Sequence, residues 1–554
     1  MSKQRAWRVL THFVVVAVIA SLIALPGQNA RAKATNAHSA AIKHGGTVVI
    51  NWGPKGSWTR NFNPFSNSPT DGTLELIYEP LLMFNQMKGG AVVPWLASKY
   101  AWSHGNKTLT FYLRPNVKWN DGKPFTSADV KFSFMLAKTN PGITCGDCWT
   151  FLSGISTPNK TTVVFNFKKV NTTLLYYLGR FDPVPQHVFA NLDPVKATNP
   201  SPVATGPFKV GSFSSQVFTL VRNKYYWQKG KPYVDTLKFP AYTGNDSAQL
   251  AAVNGELDWA GLLIPDAQNT YAAKNPNNHF WFQGVGAPVS LWLNNSQAPF
   301  NNVHVRKAIA LAINRAQIAK IAEYGYTDAG NAGFVQPQFS KKWGDSSVLK
   351  MLPAGGSASK AKTELSKAKG VDTSGTYKIE VVQGWTDWNT AAQLIANQLK
   401  GVGINATVEP LAFGDYVSHL QQGNFGMAIS WMAAGPTPFY LYHDDFTKAE
   451  IPPAGGPAGA LANFSRWSSP QLDGLISSYQ KTSNVKQQVS IVKQAQKIIA
   501  NAMPIVPLFA GGDLWNEYST RHFVGWPSPS SPYDIGSPYN HPSNLDVILH
   551  IHLK

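Results

Sequence analysis

The sequence predicts an α/β fold in which mixed sheets are flanked by helices. Segments that alternate apolar and polar residues, as half-buried strands do, recur beside segments with helical periodicity. Thr108–Leu113 and Thr162–Phe167 alternate in this way, and residues 127–138 begin with a serine that can cap a helix. The strand-helix-strand order further along the chain is typical of doubly wound α/β domains.

The predicted elements follow in chain order. An early strand covers Thr47–Asn51, and the helix over 127–138 carries Val130, Phe134 and Ala137 on one face. Apolar positions at three- and four-residue spacing predict one long helix over 303–324. The second half of the chain then continues with a strand at 378–382, a helix at 389–399 and a strand at 405–408.

The length and the charge of the chain limit the classes of function that fit it. The 554 residues, 44% of them apolar, are enough for several domain-sized units with a large core. The net charge is +19, yet the densest basic groupings are the pairs Lys168-Lys169 and Lys341-Lys342, so no nucleic-acid partner is expected. Because only 14% of residues are charged, the excess reflects scarce carboxylates. We hypothesise acidic surroundings; loose attraction to an anionic cell envelope is the alternative.

The N-terminus predicts export. Three basic residues within the first eight precede an apolar run over 13–25, and an Ala-x-Ala site ends at Ala32. Residues 1–32 are therefore predicted to be a signal peptide and 33–45 a flexible tether, with an uncleaved anchor as the alternative. Since no cysteine lies near the site, the protein is not expected to be a lipoprotein. We expect it in the periplasm or at the outer face of the cell membrane.

Motifs for catalysis and cofactors are missing from the sequence. Phosphate-loop, dinucleotide-binding, zinc-protease and GxSxG patterns do not occur, so no cofactor, metal or enzymatic activity is expected. The adjacent carboxylates Asp444 and Asp445 invite comparison with glycoside hydrolases, but neighbours on a loop seldom face one another. Cys145 and Cys148 predict a local disulfide; a catalytic thiol pair or half a zinc site are the alternatives.

Tryptophans stand where predicted strands end. Trp52, Trp385, Trp388 and Trp431 are each close to Gly, Asn or Pro residues that favour loops. Loop ends carry binding residues more often than strand interiors do, and aromatic faces offer rigid surfaces to sugars or peptide side chains. Together these tryptophans predict a ligand-binding cleft.

Ordered markers along the chain resemble one family. The block from IYEPLL to LTFYLRPNVKWNDGKPFTSADVKFSF is the first marker, and TGPFKV, NGELD, APFNNVHVRKAIALAINRAQI and MPIVPLF follow. These motifs resemble the extracytoplasmic solute-binding proteins of ABC importers, in the oligopeptide- and nickel-binding class called family 5. The resemblance covers nearly all of the chain after the N-terminal segment.

The resemblance implies a two-lobed periplasmic-binding-protein fold of type II with an extra inserted domain and a hinge-bending cleft. Lobe I would comprise 45–73, 202–285 and 505–554, the inserted domain 74–201, and lobe II 286–504. It further implies a monomer that binds a small solute and docks on the permease subunits of an importer in the membrane. A secreted glycoside-acting enzyme and a solute receptor without transport are the alternatives.

Two ligand classes stay open. Peptide-binding members have an aspartate three residues after the tryptophan equivalent to Trp431, where this chain has Ala434, and they often have an arginine just before it, which is absent. The run 435–439, GPTPF, resembles oligosaccharide-binding members instead. We predict a pocket for an oligosaccharide or an oligopeptide, formed by Trp52, Asn61, Asn63, Asn294, Trp385, Phe413, Tyr416, Trp431 and Tyr440.

Overall fold

The computed structural model describes residues 42–66, 68–140, 143–452, 462–512 and 515–554. The predicted signal peptide (1–32) and most of the predicted tether (33–45) lie outside the described residues. The described chain forms twenty strands and sixteen α-helices. The strands form two large sheets, a smaller four-stranded sheet and two strand pairs. This architecture confirms the predicted α/β class.

The strands are β1 Thr47–Asn51, β2 Leu82–Asn85, β3 Ala91–Pro94, β4 Ala97–Ser103, β5 Thr108–Leu113, β6 Leu152–Asn159, β7 Thr162–Phe167, β8 Phe208–Phe213, β9 Val217–Arg222, β10 Thr236–Pro240, β11 Trp259–Ala260, β12 Asn278–Phe280, β13 Val289–Leu293, β14 Thr376–Val382, β15 Asn405–Leu411, β16 Met427–Trp431, β17 Ile505–Phe509, β18 Glu517–Ser519, β19 Phe523–Val524 and β20 His552–Leu553.

The helices are α1 Ser127–Thr139, α2 Leu174–Gly179, α3 Gln186–Phe189, α4 Asn245–Val253, α5 Ala267–Thr270, α6 Val303–Ala312, α7 Arg315–Ala322, α8 Pro337–Trp343, α9 Ser346–Leu349, α10 Ala358–Leu365, α11 Thr386–Lys400, α12 Phe413–Gln422, α13 Pro438–Phe446, α14 Pro470–Gln480, α15 Val485–Ala502 and α16 Ser543–His550.

The first large sheet has seven strands in the order β12-β18-β11-β1-β10-β9-β8. Strand β1 runs parallel to both neighbours, β10 and β11, while β9 is antiparallel to β10. Val48 and Ile50 of β1 are fully buried, as the alternation in the sequence predicts. Because β1 is central and parallel on both sides, its carboxyl end opens toward a loop where side chains from several segments meet.

The second large sheet has five strands in the order β15-β14-β16-β13-β17. Strand β14 is parallel to β15 and β16, and β13 is antiparallel to β16 and β17. The predicted lobe boundary at residue 505 assigned β17 to lobe I, but β17 hydrogen-bonds to β13 in the sheet of lobe II. All five residues of β17 are buried, and the strand pairs antiparallel with β13.

The inserted segment forms its own antiparallel sheet, β4-β5-β7-β6, covered by α1. The predicted face of α1 is confirmed, since Val130, Phe134 and Ala137 are fully buried. The helix begins one residue later than its cap: Thr126, rather than Ser127, is the capping residue, and its backbone N–H donates to Asp129 Oδ2 at 2.9 Å. The Thr126 hydroxyl donates to the same carboxylate oxygen at 3.1 Å, so Asp129 anchors the residue that precedes the helix.

The predicted helix over 303–324 is two helices, α6 and α7. Ile313 is extended, with φ −78° and ψ 118°, and ends α6. The Asn314 side chain then accepts from the N–H of Gln317 at 2.9 Å and caps α7. A capping asparagine inside an apolar periodic run therefore breaks the helix without disturbing its periodicity.

Two smaller features complete the fold. Cys145 and Cys148 form a disulfide with Cα atoms 4.9 Å apart, in the loop that follows α1. The indole N–H of the nearby Trp149 donates to the carbonyl of Phe134 at 2.9 Å and ties this loop to α1. Within the described part of the chain, no helix is both long and apolar enough to cross a membrane.

Candidate ligand-binding cleft

A cavity of about 360 Å³ lies where the ends of strands from both large sheets meet. On the side of the first sheet, Trp52 and Lys55 follow β1, and Leu262 follows β11. On the side of the second sheet, Trp431 ends β16 and Phe413 begins α12. The inserted segment contributes Gln86, Tyr176 and Arg180, so three parts of the fold enclose one cavity.

Three tryptophans pack into a cluster on the wall from the second sheet. The ring centres of Trp385 and Trp388 are 5.0 Å apart, those of Trp388 and Trp431 are 4.8 Å apart, and those of Trp385 and Trp431 are 5.2 Å apart. Phe413 lies 6.0 Å from Trp385. The turn from β14 into α11 and the end of β16 bring these rings together. They present a rigid aromatic surface to the cavity.

The opposite wall is built around Trp52. Its ring makes edge contacts with Phe239 and His541, both at 5.7 Å between centres. The buried indole Nε1 of Trp52 donates no hydrogen bond within the described chain. An unpaired buried donor of this kind costs free energy in the folded protein.

Polar contacts join the two walls beside the cavity. The indole Nε1 of Trp385 donates to the carbonyl of Pro54 at 3.3 Å. Asn245, at the start of α4, donates through its backbone N–H to Gly384 at 3.1 Å and through Nδ2 to Thr386 Oγ1 at 3.1 Å. Lys55 lies over the Phe413 ring at 5.6 Å. Loops and helix starts that follow strands of the two large sheets therefore contact one another beside the cavity.

Basic side chains at the cavity have partners within the protein. Lys55 forms an ion pair with Asp71. Arg180 donates through Nη1 to the hydroxyl of Tyr176 at 2.6 Å. His541 Nδ1 contacts the carboxylate of Glu75. These contacts fix the positions of the cationic groups on the side of the first sheet and the inserted segment.

Two carboxylates line the cavity on the side of the second lobe. Asp387 lies in the first turn of α11 and is 7% exposed, while Glu323 directly follows α7 and is 3% exposed. Burial raises the pKa of Asp387 to about 6, although N–H groups of the first turn oppose the rise. Burial and the negative charge of Asp387 raise the pKa of Glu323 well above its ordinary value. Both carboxylates are thus held in an environment that disfavours their charge.

Four of the predicted binding residues line the cavity: Trp52, Trp385, Phe413 and Trp431. The three predicted asparagines lie elsewhere and support the backbone. Asn61 donates to Ser66 Oγ at 2.8 Å, and Asn63 donates to the carbonyls of Pro194 and Ala197, both at 2.8 Å. Asn294 donates to the carbonyls of Gly423 and Phe425, both at 3.0 Å. Their amides are used within loops, which a sequence pattern does not distinguish from amides facing a ligand.

The two predicted tyrosines also lie behind the cavity wall. Tyr416 is fully buried and its hydroxyl donates to the carbonyl of Ile429 in β16. Tyr440 packs on Tyr176 with ring centres 4.4 Å apart. Tyr416 therefore supports β16, and Tyr440 supports Tyr176, rather than contacting the cavity themselves.

The GPTP run and the Asp444-Asp445 pair both make contacts within the protein. An added Cβ on Gly90 would clash with Pro436, so this proline packs tightly against the inserted segment. Asp444 accepts from the hydroxyl of Tyr177 at 2.6 Å, whereas Asp445 accepts from the N–H of Ala433 at 2.9 Å. The GPTP run thus packs at a domain contact, and the two carboxylates engage different partners.

Several cavity residues were not among the predicted binding residues. They are Lys55, Gln86, Tyr176, Arg180, Asn245, Glu323, Asp387, Trp388, Trp515 and His541. For Asp387 a signal exists in the sequence, because it lies between two tryptophans in QGWTDWN. Glu323 has no such signal, since it reaches the cavity only through the packing of α7 on α11.

Two sheets that enclose an aromatic cavity define a solute-binding protein of the two-lobed kind. Residues 91–451 match the family described as bacterial extracellular solute-binding proteins, family 5 Middle. The chain belongs to this family. The family consists of binding proteins rather than enzymes, and its members act outside the cytoplasm.

Similar proteins cover most of the chain. The Di/tripeptide-binding protein 1 of Pseudomonas aeruginosa (strain UCBPP-PA14) is 25% identical over 471 residues, which cover 79% of this chain and 84% of the relative. A mannohexaose-bound periplasmic oligopeptide-binding protein from Thermotoga maritima has a TM-score of 0.83 and 23% identity over 92% of this chain and 98% of that chain. A periplasmic binding protein from Helicobacter pylori, in complex with the peptide STSA, has a TM-score of 0.77 and 22% identity over 92% and 98%.

Proposed function

We propose that this protein is the extracytoplasmic substrate-binding component of an ABC importer. It captures a small solute in the cavity between the two large sheets and delivers it to the permease subunits. The cavity itself carries this proposal, because Trp52 and Trp431 line it from different sheets. Family membership and the names of the relatives, which include an ABC-transporter oligopeptide-binding protein, support it.

Binding is coupled to closure of the two lobes. A solute that touches both walls interacts with the closed arrangement only, and it therefore shifts the population toward that arrangement. The contacts of Trp385 with Pro54 and of Asn245 with Thr386 are available in the closed arrangement. The permease then distinguishes a loaded protein from an empty one by the distance between its lobes.

The size of the cavity suits a small solute. About 360 Å³ is at the lower end of the range for small-molecule pockets, which runs from roughly 300 to 1,000 Å³. The aromatic walls suit the apolar faces of sugar rings and also the side chains of peptides. We propose an oligosaccharide or an oligopeptide as the ligand, with Trp52, Trp385, Phe413 and Trp431 as its contacts.

The proposals on export, oligomeric state and location rest on the amino-acid sequence. We propose that the protein is exported with the segment 1–32 as a signal peptide and acts as a monomer in the periplasm or at the outer face of the membrane. It is not a lipoprotein, because no cysteine lies near the predicted cleavage site. The lobes comprise the segments predicted above, except that β17 belongs with lobe II.

A thermal-shift screen tests this function. The purified protein is heated with manno-, cello- and xylo-oligosaccharides and, separately, with peptides of two to five residues. A solute that binds only the folded state raises the melting temperature. We expect at least one of these probes to do so and to be recovered unchanged. A melting temperature that no probe raises, or a covalently altered probe, contradicts the proposed function.

A further inference from the structure

The carboxylates of Glu323 and Asp387 face the cavity without a cationic partner. Neither forms an ion pair with a lysine, arginine or histidine in the described part of the chain, and no cationic group contributes to the shift in either pKa. The Oδ1 atom of Asp387 is buried and accepts no hydrogen bond from any described residue. The residue as a whole is 7% exposed and is one of those that line the cavity, and a buried acceptor without a partner is unusual in a folded protein.

Placing these two groups together is unfavourable for the protein alone. A buried carboxylate costs free energy unless it is paired, and a second carboxylate nearby increases that cost. The first turn of α11 offsets part of it, because N–H groups at the start of a helix favour negative charge at Asp387. Among the described residues, no hydrogen bond lowers the pKa of Glu323 in this way. A cationic group on a bound molecule would therefore stabilise the carboxylates of Glu323 and Asp387.

The surroundings distinguish an organic cation from a metal ion. Among the described residues no group of three or more His, Cys, Asp or Glu side chains is placed to hold a metal, and divalent cations such as Ca²⁺ take about six or more oxygen ligands. Trp388 instead follows Asp387 directly and packs on Trp385 and Trp431. Aromatic faces beside a carboxylate attract ammonium groups through cation–π contacts as well as through charge.

We propose that Glu323 and Asp387 bind a protonated amino group of the solute, with the tryptophan cluster beside it. This inference rests on the proposed function and assigns the substrate class: a short peptide with a free amino terminus, rather than a neutral oligosaccharide. The negative charge that is missing at Ala434 is supplied from a different place, the start of α11 and the end of α7.

Isothermal titration calorimetry at pH 7.5 tests this assignment. The probes are trialanine, N-acetyl-trialanine, which has the same carboxylate but no amino charge, and neutral mannotriose. A fourth probe, N-acetyl-Ala-Ala-Lys, carries its ammonium on a side chain and distinguishes the amino terminus from other amines. The proteins are wild type, Asp387→Asn and Glu323→Gln. Asp415→Asn, an exposed aspartate in the first turn of α12, is the matched control.

We expect trialanine to bind wild type at least tenfold more tightly than N-acetyl-trialanine. Asp387→Asn and Glu323→Gln should each reduce that preference at least tenfold, while Asp415→Asn leaves it unchanged. If one variant does not fold, the other carries the test. Preferential binding of N-acetyl-Ala-Ala-Lys over trialanine would overturn the assignment to the amino terminus.

Two results would overturn the inference as a whole while leaving the proposed function intact. One is equal affinity of wild type for trialanine and N-acetyl-trialanine, and the other is binding of mannotriose that neither substitution weakens. Absence of binding by every probe, the sugar included, overturns the inference and also contradicts the proposed function.

Discussion

The indole of Trp385 hydrogen-bonds to the carbonyl of Pro54 across the cleft, with Nε1 and the oxygen 3.3 Å apart. Trp385 precedes α11 in the second lobe, and Pro54 belongs to the loop after β1 in the first. The same indole packs on Trp388 and Trp431. One side chain thus forms part of the cavity wall and also joins the two lobes.

Replacing Trp385 with phenylalanine separates these two roles. Trp385→Phe keeps an aromatic ring but removes the hydrogen bond to Pro54. Because a net hydrogen bond contributes about 0.5–1.5 kcal/mol, solute affinity should fall roughly 2- to 12-fold. Calorimetry with the solute found in the screen measures this. Trp102→Phe, which removes an indole N–H from the sheet of the inserted segment, should have no effect; a similar loss there would contradict the role of the contact.

Gly384 allows the lobes to approach closely. Its φ is +81°, and an added Cβ would meet the Thr243 carbonyl oxygen at 2.9 Å and Gly244 Cα at 3.1 Å. Gly384→Ala should therefore prevent full closure and weaken solute binding by more than about tenfold, since a clash with backbone is not relieved by a rotamer change. Small-angle scattering with saturating solute should show a larger radius of gyration than wild type.

Gly370→Ala is the control for this substitution. Gly370 has a similar φ of +74°, but nothing lies within 4 Å of an added Cβ. Both variants carry the backbone cost, of about 1 kcal/mol, of an alanine at positive φ. Only Gly384→Ala should change affinity, and equal affinities in the two variants would show that the contact with Gly244 does not limit closure.

Trp431 contributes one of the three packed indole rings of the aromatic wall. It lies 4.8 Å from Trp388 and 5.2 Å from Trp385, so Trp431→Ala removes stacking surface and also loosens its neighbours. We expect affinity to fall by more than about tenfold, because truncation of a large buried aromatic at a binding site commonly costs at least 2 kcal/mol. Trp102→Ala serves as control. Unchanged binding by Trp431→Ala would remove this residue from the site.

Glu79 makes the folded protein more stable at acidic pH than at neutral pH. Its carboxylate is fully buried and accepts from the indole N–H of Trp95 at 2.7 Å and the hydroxyl of Tyr226 at 3.0 Å. Burial raises its pKa to about 7, more than these hydrogen bonds lower it. The folded state therefore holds this proton more tightly than the unfolded state, and the free energy of unfolding falls as pH rises from about 4.5 to about 7.

Urea unfolding at pH 5.0 and 7.5 measures this effect. Wild type should lose stability on the order of 3 kcal/mol from Glu79 between these values, since one pKa unit corresponds to about 1.4 kcal/mol. Glu79→Gln should remove that part of the pH dependence. An identical dependence in both proteins would contradict the raised pKa. Asp534, whose pKa burial raises to about 7, contributes in the same direction, which accords with the hypothesis of acidic surroundings.

Much of the fold was predictable from local patterns. The strands Thr47–Asn51, Thr108–Leu113 and Thr162–Phe167 have the predicted bounds, because alternation and turn residues limit them locally. The break between α6 and α7 was missed, since the capping Asn314 does not interrupt the apolar spacing. The placement of β17 was missed as well, because pairing with β13 is a contact between segments more than 200 residues apart.

Part of the cavity lining was predictable from aromatic residues that end or follow strands. Trp52, Trp385 and Trp431 follow this rule and line the cavity, because the carboxyl ends of strands in both sheets open there. Glu323 and Asp387 could not be paired from the sequence, since their proximity depends on how α7 packs against α11. Asn61, Asn63 and Asn294 do not line the cavity, because side-chain amides that hold loops look the same in a sequence as amides that hold ligands.

The cavity wall and the sheet ladders belong to different parts of the chain. Side chains that line the cleft come from strand ends, helix starts and the loops between them, whereas the hydrogen bonds that hold each sheet lie within the strands. Substitutions at a few lining positions, such as Trp385, Asp387 and Trp388 around the start of α11, can therefore alter what the protein binds and leave the scaffold intact. This separation explains how proteins that share fewer than a quarter of their residues keep one architecture while their cargo diverges.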